Sequence, residues 1–224
     1  MIVLRNVTKS YPLRGFARHF VLRDFNLELP SRTHVGIVGR NGVGKSTLMR
    51  LLGGIELPDR GSVRSDGLIS PPLGLTSGFA KKLSGRDNAR FVSRISGDDP
   101  RTQRERVAFV EEFCELGAFF DHPVETYSSG MKARLGFAIS MSFDYDYYLI
   151  DELTAVGDKQ FREKAKKTFA EKRGRSSVIM VSHNLKQLEQ DCEVGVYLRD
   201  GGAQYYPDVK DAIAAYGADM KEKA

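Results

Sequence analysis

Residues 2–8 and 21–29 alternate apolar and polar side chains, the period of half-buried strands. Residues 33–38 form a short apolar run that leads straight into a glycine-rich stretch, as a buried strand ending in a loop does. The pattern over 46–52 predicts a helix stopped by Gly53 and Gly54, and 62–69 reads as short strands. From 83 to 143 the period turns helical, with segments at 87–95, 102–116 and 129–142. Apolar strands return at 147–150, 178–181 and 194–198, with helical stretches between and after them, and the tail 221–224 is expected to fray. The order predicts an α/β fold in one domain, 1–224: an antiparallel β region, a strand-and-helix core, a helical insertion at about 77–144, and a return to the core. The sequence has no internal repeat, low-complexity segment or linker.

The hydrophobic fraction of 41% and charged fraction of 28% are those of a soluble globular chain. The net charge of +5 reads either as attraction to an anionic partner or as an ordinary solvated surface; the basic residues are scattered, with short clusters such as Lys164, Lys166 and Lys167. Cys114 and Cys192 have neither metal-ligand nor redox-motif spacing, which points to a reducing compartment. The first residues lack the apolar core of a signal peptide. The longest uncharged run, 67–80, holds Pro71, Pro72 and three glycines and is too short to span a bilayer. The expectation is a cytoplasmic chain that reaches any membrane through a partner.

Gly39-Arg40-Asn41-Gly42-Val43-Gly44-Lys45-Ser46, followed by Thr47, fits the phosphate-loop pattern G-x-x-x-x-G-K-[ST]. Glycines let the backbone wrap a polyphosphate with its N–H groups pointing inward. The helix that follows aims its positive end at the same anion. Lys45 is placed to reach the β- and γ-phosphates, and the Ser46 hydroxyl to bind Mg²⁺. The strand before and the helix after supply the required context. The guanine reader Asn-Lys-x-Asp of GTPases is absent from the sequence.

Residues 147–150 deliver Asp151 and Glu152 at the carboxyl end of a buried strand, where open α/β sheets place their ligands. Asp151 is expected to hold the Mg²⁺ through water, and Glu152 to polarise an attacking water. The second acid favours hydrolysis over transfer to another acceptor.

Tyr127-Ser128-Ser129-Gly130-Met131 precedes that strand and opens a helix. It resembles the ABC signature Leu-Ser-Gly-Gly-Gln, and the chain is thereby identified as similar to ABC ATPases. The resemblance implies a P-loop NTPase (RecA-like) core with an N-terminal antiparallel β subdomain and an inserted α-helical subdomain. It implies that Ser128, Ser129 and Gly130 close over the ATP held by a second copy. It makes Tyr11 the aromatic that stacks on adenine, with Phe16 and Phe20 as nearby competitors. It makes His183 the switch histidine near the γ-phosphate and Asp158 a dimer-contacting aspartate, although 154–157 depart from the usual Ser-Ala-Leu-Asp. The family's coupling glutamine is missing; Ala80 stands at the aligned position, so a water or another residue does its work or coupling is looser.

Gly78-Phe79, Leu83-Ser84-Gly85-Arg86-Asp87-Asn88, the altered signature through Leu135, Val110-Glu111-Glu112-Phe113 and 147–158 resemble the ATPase subunit of bacterial capsular-polysaccharide exporters. The resemblance implies a homodimer at the cytoplasmic face of the inner membrane, a membrane-spanning permease dimer, and a periplasmic adaptor reached through the permease. The cargo would be a lipid-anchored acidic polysaccharide, with ATP and Mg²⁺ bound and no nucleic-acid partner. Exporters of O-antigen or teichoic acid remain open, though many O-antigen ATPases add a C-terminal domain for which this chain leaves no room. A soluble ABC ATPase acting on ribosomes or DNA would be expected to fuse two cassettes or carry a coiled-coil insertion. A P-loop kinase would leave a phosphorylated second product.

Overall fold

The computed structural model describes residues 1–13, 15, 17–73, 78–151, 158–199 and 202–222. They form two compact units: Met1–Pro72 with Tyr145–Glu152 and Arg175–Ala224, and Leu73–Asp144 with Leu153–Gly174.

The first unit holds two sheets. Strands β1 (Ile2–Pro12), β2 (Arg18–Leu29) and β4 (Arg60–Ser65) pair antiparallel in the order β2-β1-β4. The alternation in β1 slips between Leu4 and Val7 because the register shifts there. Asn6 takes the left-handed conformation at φ 50°, and its N–H donates to Asn26 Oδ1 at 3.0 Å, which makes the bulge tolerable for a non-glycine residue.

The second sheet runs β5 (Tyr147–Asp151), β6 (Ser177–Val181), β3 (Val35–Gly39), β7 (Val194–Arg199) and β8 (Gly202–Tyr206). All neighbours are parallel except β7 and β8. Strands β3 and β6 are buried along their whole length, as central parallel strands are. In register, Asp151 faces Val181, and Val181 faces Ile37. The carboxyl ends of β3, β5 and β6 therefore emerge together, and that edge carries the candidate site.

Helix α1 (Lys45–Leu52) packs Leu48, Met49, Leu51 and Leu52 into one apolar cluster with residues of both sheets, Ile2, Phe25, Ile37 and Leu149 among them. Helices α6 (Leu185–Asp191) and α7 (Val209–Glu222) complete the unit. Gly195 is what lets α7 lie on β7, since a Cβ there would sit 2.3 Å from Ala212 Cβ.

The second unit is helical: α2 (Gly85–Ile95), α3 (Pro100–Cys114), α4 (Ser129–Met141) and α5 (Lys159–Arg173), with 3-10 turns at Gly117–Asp121 and Val124–Thr126. Phe113 stacks on Phe137 at 5.9 Å and meets Phe161 edge-on at 5.7 Å, joining α3, α4 and α5. The half-buried pair Arg106–Asp98 joins α3 to the turn before it at 2.6 Å, with the guanidinium 3.6 Å over the Phe143 ring.

Three expectations change. Helices α2 and α3 begin two residues earlier than the periodicity predicts, because Ser84 and Asp99 cap them and Pro100 sits in the first turn of α3. Residues 202–206 add a strand before the helical stretch that follows the last predicted strand. Beyond Ser65, Ile69 makes only an isolated bridge to Tyr147.

Candidate functional site

The loop between β3 and α1 is shaped by its glycines. Gly44 caps α1 at φ 110°, and a Cβ there would stand 2.5 Å from Val21 Cγ1, so both backbone and space demand glycine. Lys45 arches back over the loop, its ammonium donating to Gly39 O at 2.7 Å and Arg40 O at 2.9 Å. Ser46 is exposed in the first helical turn, while Thr47 beside it is buried.

Two other strand ends meet this loop. Asp151 closes β5. His183 follows β6 in a tight turn, with Asn184 N–H donating to Ser182 Oγ at 3.1 Å and the Asn184 side chain capping α6. Asn41, Gly42, Gly44, Lys45, Ser46, Thr47, Asp151 and His183 line one cavity of about 550 Å³, with Val21 and Val181 as its apolar wall. A lysine, a helix N-terminus, a carboxylate and an imidazole on one cavity suit a polyphosphate with its counterion.

In the helical unit, Ser128 caps α4, its Oγ accepting from Met131 N–H at 3.2 Å. That bond uses a lone pair and leaves the hydroxyl hydrogen to donate elsewhere. Among the described residues, a Cβ at Gly130 would meet Ser128 Oγ alone, at 3.9 Å. Tyr127 is buried and anchors the turn through its hydroxyl, which donates to Phe119 O at 2.6 Å.

Residues 22–155 match the sequence profile of the ABC transporter family. The chain belongs to that family. It is 46% identical over 217 residues to the polysialic acid transport ATP-binding protein KpsT of Escherichia coli, covering 96% of each chain. It is 42% identical over 218 residues to the capsule polysaccharide export ATP-binding protein CtrD of Neisseria meningitidis serogroup B, covering 97% of this chain and 99% of CtrD. The fold matches the ATP-binding cassette MJ0796, solved as a dimer in a post-hydrolysis state with ADP and Pi, at a TM-score of 0.74 and 22% identity over 93% of this chain and 99% of that one. The chain is thus an ATP-binding subunit and an ATPase.

The remaining sequence expectations fall unevenly on this ATPase. Lys45 and Ser46 of the phosphate loop, Asp151 and His183, predicted from three separate segments, line the same cavity. Gly39 is buried and contributes its carbonyl to Lys45. Tyr11 is half-buried and does not line the cavity; its hydroxyl lies 3.4 Å from Thr47 Oγ1, which does. Phe20 is exposed, with the Arg23 guanidinium 4.1 Å from its ring. Ser129 begins α4, and Asp158 caps α5. Glu152, Phe16 and 154–157 lie outside the described residues.

Several structural partners escaped the sequence reading. Asn88 is buried, accepts from Ala80 N–H at 2.9 Å and donates to Ala80 O at 3.2 Å and Ser84 O at 2.8 Å, so it fixes the backbone at Ala80. Its place in the Leu83–Asn88 segment was the available signal. Glu56 and Arg50, which hold Tyr11, and Arg134, which pairs with Asp158, had none beyond charge.

Proposed function

We propose that this ATPase powers export of a capsular polysaccharide across the bacterial inner membrane. It works as a homodimer at the cytoplasmic face beneath a membrane-spanning permease, through which a periplasmic adaptor is engaged. The convergence of Lys45, Ser46, Asp151 and His183 on one cavity carries the ATPase part. Similarity to capsule exporters along nearly the whole chain supports the cargo. No helix among the described residues is long and apolar enough to cross a membrane, in keeping with a separate permease.

In this mechanism the loop N–H groups and Lys45 bind the β- and γ-phosphates. Ser46 and Asp151 offer hard oxygen donors on one cavity, which fits Mg²⁺, an ion that takes one or two protein oxygens beside phosphate and water. When bound, the ion neutralises the charge that builds up between the phosphates. Glu152 takes the proton of the attacking water, and His183 contacts the γ-phosphate. Ser128, Ser129 and Gly130 of a second copy close over the nucleotide, α4 turning its positive end to the anion. Asp158 lies at the boundary between the two copies, Tyr11 stacks on the base, and Ala80 leaves coupling to a partner other than glutamine.

Deleting the gene tests the cargo. The polymer is expected to accumulate inside the cell while its synthesis continues. Cells that lack intracellular polymer would argue against an export role.

A further inference from the structure

The ring of Tyr11 is held from two directions. Lys9 and Tyr11 stand two residues apart on β1 and share a face. The Lys9 ammonium sits over the Tyr11 ring, 5.5 Å from its centroid, and so covers one side of it. The phenol hydroxyl donates to Glu56 Oε2 at 2.7 Å and accepts from Arg50 Nη2 at 3.1 Å. Glu56 is itself clamped: Lys9 Nζ lies 3.1 Å from Oε2 and Arg50 Nε 2.7 Å from Oε1. Burial pushes the Glu56 carboxyl up, but the bonds from Tyr11 and Lys9 and the charges of Arg50 and Lys9 outweigh it and hold the group below the ordinary glutamate range. Glu56 is therefore ionised at neutral pH, and its bond to the phenol is charge-assisted.

Arg50 stands in the last turn of α1, and Glu56 follows that helix, its N–H donating to Arg50 O at 3.3 Å. The first turn of α1 carries Lys45 and Ser46. One helix thus sets both the phosphate cradle and the anchor of the ring. A tyrosine near a strand end has two free side-chain torsions, and fixing them in advance removes that entropy cost from ligand binding.

We propose that Glu56 is a positioning residue for the nucleotide base: it fixes Tyr11 by the hydroxyl so that the ring face not covered by Lys9 receives a purine at a set distance from the phosphate loop. This rests on the reading of Tyr11 as the base-stacking residue. Glu56 touches no part of the nucleotide; it acts through Tyr11.

Equilibrium binding by the purified full chain separates the possibilities, with ATP and inorganic tripolyphosphate as ligands. Tripolyphosphate keeps the phosphates and lacks the base. Glu56→Ala and Tyr11→Phe are each expected to weaken ATP binding about tenfold, the worth of one charge-assisted hydrogen bond, and to leave tripolyphosphate binding unchanged. The double variant should be no worse than either single one. Glu56→Gln should recover part of the loss, since its amide oxygen still accepts from the phenol. Equal weakening of both ligands by Glu56→Ala would overturn the proposal, because the effect would then run through the phosphate loop. So would unchanged ATP binding in Glu56→Ala when Tyr11→Ala weakens it. If Tyr11→Ala itself binds ATP as the wild type does, the base-stacking reading fails, and the proposal with it.

Discussion

Arg134 of α4 is ion-paired with Asp158, the residue that caps α5. Asp158 Oδ1 accepts from Phe161 N–H at 2.9 Å, and the Arg134 guanidinium lies 4.9 Å over the Phe161 ring. The helix that Ser128 caps is thus tied to the start of α5 by a cap, a charge pair and a cation–π contact. The bond from Phe161 N–H, with the charge of Arg134, holds the Asp158 carboxyl below the usual range, so all three persist at neutral pH. Asp158→Ala should lower the melting temperature by a few degrees. Asp158→Asn, which keeps the cap and loses the charge, should lower it less. Equal melting of both variants with the wild type would show that the tie adds nothing to stability.

Gly195→Ala should be among the costlier small substitutions. The new methyl would lie 2.3 Å from Ala212 Cβ and 3.1 Å from Val209 Cα, so α7 must move off β7. Overpacking of this kind costs about 1–3 kcal/mol. Gly174→Ala is the control: its backbone is in the right-handed helical region and, among the described residues, the methyl meets Glu171 O alone, at 3.8 Å. It should be neutral or slightly stabilising. Denaturant titration of the two variants compares them directly.

What the sequence made legible follows from where information is local. The phosphate loop and the all-buried run of β3 announce themselves within a dozen neighbouring residues, and Asp151 ends an equally uninterrupted apolar strand. Strand β8 did not, because Gln204 and Tyr205 are exposed on an edge and the run shows no alternation. The starts of α2 and α3 were readable from Ser84-x-x-Asp87 and Asp99-Pro100, cap signals that apolar periodicity alone passes over. The bond between Tyr11 and Glu56 joins residues far apart in the chain through charge and geometry, which leave no pattern along it.

Neither cysteine should react in the folded protein. Cys114 and Cys192 are both buried, and burial pushes the Cys114 thiol up to about 11. At pH 8 its thiolate fraction is small as well as inaccessible. A chromogenic disulfide reagent should titrate no thiol natively and two in guanidinium chloride. Rapid native labelling of Cys114 would contradict its burial.

Glu152→Gln keeps the shape of the side chain and removes its basicity, so Mg·ATP should bind and persist. If Ser128 and Gly130 act on the nucleotide of the other copy, the variant should be monomeric without nucleotide and dimeric with ATP by light scattering. Adding Gly130→Asp should return it to monomer. Among the described residues a Cβ at Gly130 would meet nothing nearer than Ser128 Oγ, at 3.9 Å, so the aspartate is expected to act by its charge against the γ-phosphate. Stable ATP-dependent dimers of the double variant would refute the shared site.

Phosphate release from ATP by the purified full chain, beside Lys45→Ala prepared in the same way, tests the ATPase most directly. Lys45 reaches over the loop that would wrap the phosphates, and no other lysine lines that cavity among the described residues. Turnover is predicted for the wild type and none above background for Lys45→Ala. Equal rates of phosphate release from the two proteins would contradict the assignment of ATP hydrolysis to this site.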